Sequence, residues 1–218
     1  VKMSGRNNID KVLVLREKKN PVPMFVRERR FVIPERNKEV GFDFRVGDWV
    51  TPYGEGRNAD IHLEIRGEYR GINDIQSQLI VKFNGSAGGI TPVEYDAGSS
   101  EFQFPYKAPK DGYKKRIVHK FERGKNKFGE GTRNTTLDKG RLGYVFKVVS
   151  RVDENGVSKS AYYGRFNGEF QFSPLRKSEG DGAAIEFTYY FNPNPNDRNI
   201  EFDPQRNLFK DAEKTYPP

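Results

Sequence analysis

The 218-residue chain contains no cysteine, which removes disulfide frameworks, thiolate nucleophiles and sulfur-ligated metals together. Histidine is nearly absent as well. His62 and His119 are the whole supply, and both fall in alternating strand-like segments, so an imidazole-rich zinc site or a Ser-His-Asp arrangement lacks its parts. No stretch approaches the ~20 apolar residues of a membrane helix, because Lys, Arg or Gly interrupts each candidate within a few positions. The chain opens on Val1 without a signal peptide, and we read it as a processed or truncated form, with any targeting segment outside the given sequence. The glycine clusters at Gly85 to Gly89 and Gly129 to Gly131 lack the P-loop lysine and open no helical pattern, which argues against nucleotide chemistry. No cofactor and no metal is expected.

What is present is aromatic and charged. Seventeen Phe and 11 Tyr accompany 38 basic and 30 acidic residues, for a net charge of +8. A disordered chain of this charge would be poor in rings, so a folded core is expected. The basic excess favours anionic partners, although most cations alternate with acids or apolar residues, as in Arg27-Glu28-Arg29-Arg30, and read as solvated strand faces. The densest basic run, from Tyr113 to Phe128, holds Lys114, Lys115, Arg116, Lys120, Arg123, Lys125 and Lys127. It reads as a solvated strand and loop, and nucleic acid is not the expected partner.

The dominant period is two, in short stretches separated by Gly, Asn, Asp and Pro. In Phe166 to Phe172 the rings Phe166, Phe170 and Phe172 share one face, with Asn167, Glu169 and Gln171 on the other. Ile185, Phe187, Tyr189 and Phe191 align in the same way. Asp153-Glu154-Asn155-Gly156 reads as a tight hairpin turn between strands ending near Tyr144 and Phe166; a calcium loop is disfavoured there because the repeated ligands of an EF-hand are missing. Earlier strands are expected at Val12 to Leu15, Phe31 to Ile33, Gly41 to Val46, Ile61 to Ile65, Gln78 to Phe83, Glu101 to Phe104 and Tyr113 to Phe121. The fold class is therefore all-β, as consecutive antiparallel sandwich or barrel-like domains. Pro105 to Gly112 reads as a linker, dividing an immunoglobulin-like domain over 1–108 from a second β domain over 109–218. Gly124 to Gly143 reads as a long surface loop.

Glycoside hydrolysis would need two carboxylates across a cleft. Glu64, Glu169 and Glu186 are the strand-borne candidates, but with 30 acids in the chain such pairs are always available, so a non-enzyme is expected. Sugar recognition uses ring faces and a few fixed polar groups. Candidates are Trp49 and Tyr53, Tyr163 and Tyr190 on the side opposite Phe166 and Phe191, and Asn194 and Arg198 in the Pro-stiffened loop after Phe191. For Trp49 a core position competes with the binding role.

The segments Tyr162 to Gly168, Phe187 to Pro193 and Asn196 to Asp203 resemble the C-terminal domain of two-domain lipoproteins of glycan-utilisation loci in gut Bacteroidetes. The resemblance covers about the last third of the chain and carries no binding motif. It implies a cell-surface or periplasmic location, attachment by a lipidated cysteine upstream of Val1 as the sole link to membrane, and capture of a polysaccharide or glycoconjugate, acidic ones included. The competing expectations are a carbohydrate-active enzyme or its accessory domain, and an adhesion or assembly module that contacts protein.

Overall fold

A computed structural model describes residues 17–71, 73–85, 87–94, 102–126, 129–134, 142–152, 158–174 and 183–210. Among these residues there is no helix; twelve strands form two six-stranded sheets. The first sheet runs in the order β12 (Phe202–Asn207), β1 (Val22–Val32), β11 (Ala184–Asn192), β10 (Ser158–Ser173), β9 (Leu142–Val152) and β6 (Gly89–Glu94). The second runs β3 (Asp48–Trp49), β2 (Val40–Asp43), β4 (Ile61–Gly71), β5 (Asp74–Phe83), β7 (Arg116–Asn126) and β8 (Gly129–Asn134). All pairs are antiparallel except β1 with β12.

The sheets pack face to face through the rings that alternation turns inward. Phe44 of the second sheet's β2–β3 turn stacks on Phe146 of the first at 4.8 Å between centroids, and Phe42 meets Phe187 edge-on at 5.5 Å. Tyr189 is buried but keeps its polar tip satisfied, donating its hydroxyl to the Phe44 carbonyl at 2.9 Å across the interface. Phe166, Phe170 and Phe172 all lie in this core, as their spacing predicts. Their phase survives an irregularity: between Asn167 and Gln171, β10 spends four residues where β11 spends two, from Thr188 to Glu186. Because the excess is even, the same face stays inward, and Gly168 takes the positive φ of 71° within the bulge.

The expected division at 108/109 requires correction. β1 pairs with β11, β6 with β9 and β5 with β7, so each sheet draws strands from both sides of that boundary. A single cluster from Phe31 to Phe191 fills the space between the sheets. The expected linker is instead a strap laid over the outer face of the first sheet. Phe102, Phe104 and Ala108 are buried there against Val145, Ala161, Tyr163 and Ile200. The strap is hydrogen-bonded to the chain after β11, with Ala108 N donating to Arg198 O at 2.7 Å and Ile200 N to Tyr106 O at 3.2 Å. Pro and Gly signal any non-strand connection, and its two buried Phe are what distinguish this one from a linker.

Other elements shift in extent. Phe102 to Phe104 is not a strand, and β1 extends well before Phe31. The expected loop over Gly124 to Gly143 contains the end of β7 and the paired β8, a hairpin made without apolar alternation. β9 and β10 form the expected hairpin, with Ser158 opposite Val152; the turn over 153–157, together with its calcium question, lies outside the described residues, as does the expected strand at Val12 to Leu15.

Candidate functional site

Alternation places Tyr163 and Tyr190 outside the main core, and the structure agrees about the side. It differs about exposure. Tyr163 lies under the strap, where burial pushes its hydroxyl above the usual phenol range. Tyr190 is fully buried, packed with Met24, Val26 and Phe202. Arg165, next to Tyr190 in the β10–β11 register, lies with its guanidinium 3.5 Å from the Tyr190 ring centroid and 4.7 Å from that of Phe104, and hydrogen-bonds Asn167. This cation–π stack pins the strap to the sheet and fills the space a sugar ring would need.

Trp49 is buried in the core, edge-on to Phe42 at 5.4 Å and to Phe31 at 5.8 Å. As a ligand platform it is therefore excluded, along with Tyr163 and Tyr190. Arg198 spends its guanidinium on the Ala108 carbonyl, Nε donating at 2.7 Å, and serves the strap. Asn194 is exposed at the loop tip, its backbone N donating to Asn192 Oδ1 at 3.0 Å. The loop residue Asn196 turns back, accepting from Ala161 N at 3.1 Å. Tyr53 alone of the predicted rings is half-exposed. Its hydroxyl bonds Glu35, and Lys38 Nζ donates to that hydroxyl at 2.6 Å. The Tyr53 bond, with Lys38 beside it, holds the Glu35 carboxyl below the usual carboxylate range.

The loop that carries Tyr53 is rigid for a reason legible in its aspartates. Asp43 Oδ1 accepts from Arg45 N at 2.9 Å and Val46 N at 3.2 Å, while its Oδ2 accepts from Arg57 N at 3.0 Å and Asn58 N at 3.1 Å. Asp48 ties Trp49 N at 2.8 Å and Glu55 N at 3.0 Å. These carboxylates are consumed by backbone donors, and among the described residues no group of three or more His, Cys, Asp or Glu is placed to hold a metal.

The outer face of the second sheet has no strap. Inward Leu63, Ile65, Leu79 and Val81 alternate with outward His62, Glu64, Gln78, Ile80 and Lys82. Register sets them in rows: Gly41, His62, Lys82 and Arg116 cross β2, β4, β5 and β7, and Glu64, Ile80 and Val118 form the next. Lys82 bridges Glu39 and Glu64, and Arg66 pairs with Glu64. Burial beneath these side chains works against the Glu64 charge, yet Arg66 and Lys82 outweigh it and hold the carboxyl below its ordinary range. Gln76, Gln78, Arg116 and Lys120 stand exposed.

The three strand-borne acids do not converge. Glu64 is on the outer face of the second sheet, Glu186 is on the outer face of the first, and Glu169 reaches between the sheets. Sequence alternation assigned Glu169 to the wet face with Asn167 and Gln171. In the structure it sits inside the bulge with its side chain only 7% exposed, accepting from the Tyr144 hydroxyl at 2.6 Å and lying 3.7 Å from His119 Nδ1. His119 likewise faces inward, not the solvent. No family model, curated protein or solved structure matches the chain.

Proposed function

We propose that this protein is a non-catalytic binding module of the cell envelope that takes a polysaccharide or glycoconjugate on the open face of its second sheet. The observation that carries the reading is the asymmetry of the sandwich. One outer face is sealed by the strap and the chain around Ile200, whereas the other presents hydrogen-bonding side chains held in register and braced by ion pairs. A planar array of fixed donors and acceptors suits a hydroxyl-bearing polymer, because little side-chain freedom is lost on binding. Tyr53, fixed beside Lys38, offers the one partly exposed predicted ring at the β2–β3 border of that face. The resemblance to glycan-locus lipoproteins supports the same ligand class and a lipid anchor upstream of Val1. Acids lying on three different layers give no support to a two-carboxylate hydrolase.

Protein docking on this face draws on Val118, 40% exposed. A single valine among charges is far below the apolar patches of about 300 Å² or more that mark protein interfaces, so the glycan reading is preferred.

A glycan array of neutral and acidic plant and host polysaccharides, run with the wild-type chain and with Gln76→Ala/Gln78→Ala, tests the proposal. Retention of at least one glycan, weakened about tenfold in the variant by loss of two hydrogen bonds of about 0.7 kcal/mol each, is expected. No retention on the whole panel sinks the reading.

A further inference from the structure

The strap continues into the most concentrated positive charge among the described residues. From Lys107 to Arg116 the chain reads Lys107-Ala108-Pro109-Lys110-Asp111-Gly112-Tyr113-Lys114-Lys115-Arg116, five cations in ten residues against the single acid Asp111. All five cations are exposed. Elsewhere on the described surface Lys38, Arg66, Arg70, Lys82 and Arg206 are each compensated by a carboxylate. Among the described residues Lys107, Lys110, Lys114, Lys115 and Arg116 form no ion pair and carry no side-chain hydrogen bond, so their charge faces water.

The backbone beneath these charges is fixed. Ala108 is clamped to Arg198 from both sides, and Tyr113 donates its hydroxyl to the Pro109 carbonyl at 2.8 Å. Lys114 exchanges two backbone bonds of 2.9 Å with Ile90 on the outer edge of β6, and Phe83 N donates to Lys115 O at 2.9 Å. The strap thus wraps the β6 edge from the covered face of the first sheet to the start of β7. Arg116 then stands at the end of the row through Lys82 and His62 on the open face. Like charges held together on a fixed backbone repel one another, and a polyanion relieves that repulsion without ordering the chain first.

We infer that the strap from Lys107 to Arg116 is a docking rail for a polyanionic polysaccharide bearing carboxylate or sulfate groups. The inference rests on the glycan reading above and narrows it to acidic polymers. The rings interleaved in the strap give no platform for single-stranded nucleic acid. Tyr106 has Lys19 Nζ 4.6 Å from its centroid and Phe102 at 5.7 Å, and Tyr113 is half-buried, its hydroxyl pushed well above the phenol range by burial and then by Tyr163. Neither offers the open face on which bases stack. No large exposed apolar side chain lies in the strap for a membrane to take up.

The test is interferometry of the full chain on immobilised polygalacturonate (carboxylate), heparin (sulfate), neutral dextran and duplex DNA, at about 50 and about 200 mM salt, a range over which screening of exposed charge deepens. One variant carries K114S, K115S and R116S; a charge-matched control carries R30S, R206S and K210S, exposed cations away from the open face; thermal unfolding confirms that both are folded. Expected is binding to polygalacturonate, heparin or both that exceeds binding to dextran by at least about tenfold and weakens with salt. The strap variant should lose about tenfold or more and the control less than about threefold, by the difference between a local site and diffuse charge. Equal losses in the two variants, or tighter binding to DNA than to either polysaccharide, overturn the inference. Retention of neutral glycans on the array without any acidic preference overturns it while leaving the broader reading standing, and silence in both experiments removes both.

Discussion

Tyr144 donates its hydroxyl to Glu169 Oε2 at 2.6 Å inside the core, with His119 Nδ1 3.7 Å from the same oxygen. The three residues come from β9, β10 and β7, so this polar contact ties the first sheet to the second. Burial, and then the neighbouring carboxylate, push the Tyr144 hydroxyl far above the usual phenol range and keep it a donor. Tyr144→Phe removes the donor and leaves the Glu169 oxygen short of a partner. A loss of about 1–3 kcal/mol is expected, measured by urea unfolding; Tyr144→Phe/Glu169→Leu should recover part of it. A Tyr144→Phe protein as stable as wild type would show the contact to be incidental.

Asp60 links stability to pH. Its carboxylate accepts from Phe44 N at 2.8 Å, which favours the charged form, but burial and the nearby Asp43 raise its pKa from 3.8 to about 7. The folded chain therefore holds a proton that the unfolded chain has released. This contribution is complete below 3.8, declines as pH rises and is gone above about 7. Asp60→Asn keeps an acceptor for Phe44 and removes the titration. Urea unfolding at pH values across that window should show a smaller fall of stability with pH in the variant than in wild type; identical slopes would refute the assignment.

Arg198, chosen from the sequence as a ligand contact, is expected to act through the strap. Arg198→Ala frees the Ala108 carbonyl, a hydrogen bond from a charged donor worth about 1.5–3 kcal/mol. Limited proteolysis should then cut between Lys107 and Lys115 several-fold faster than in wild type. An unchanged cleavage rate at those lysines would mean that the Phe102 and Phe104 contacts alone hold the segment.

Gly164 marks where the first sheet tolerates no side chain. A Cβ there would collide with the Tyr190 carbonyl and with the Phe146 ring. Backbone cannot yield as a flexible side chain does, so Gly164→Ala is expected to cost at least about 1–3 kcal/mol by overpacking. Thermal unfolding measures it, with Gly112→Ala as the contrast: Gly112 has open space around it and a φ of 83°, so its cost is conformational only.

Period-two spacing was enough to establish the class of this fold and the inward faces of β10 and β11, because alternation is a local property of an extended chain. It also put Tyr163 and Tyr190 correctly on the outer side of their sheet. What covers an outer face is a long-range matter: the strap that buries Tyr163 is more than fifty residues earlier in the chain, and no spacing within β10 reports it. The same limit explains the misplaced boundary, since β1 pairs with β11 across more than 150 residues of sequence, from Val32 to Ala184 at the nearest. Glu169 was misread for a smaller reason, because a bulge re-aims one side chain without disturbing the ring pattern around it. Residue order thus decided which atoms avoid water along each strand, and the tertiary arrangement decided which of the remaining faces water still reaches.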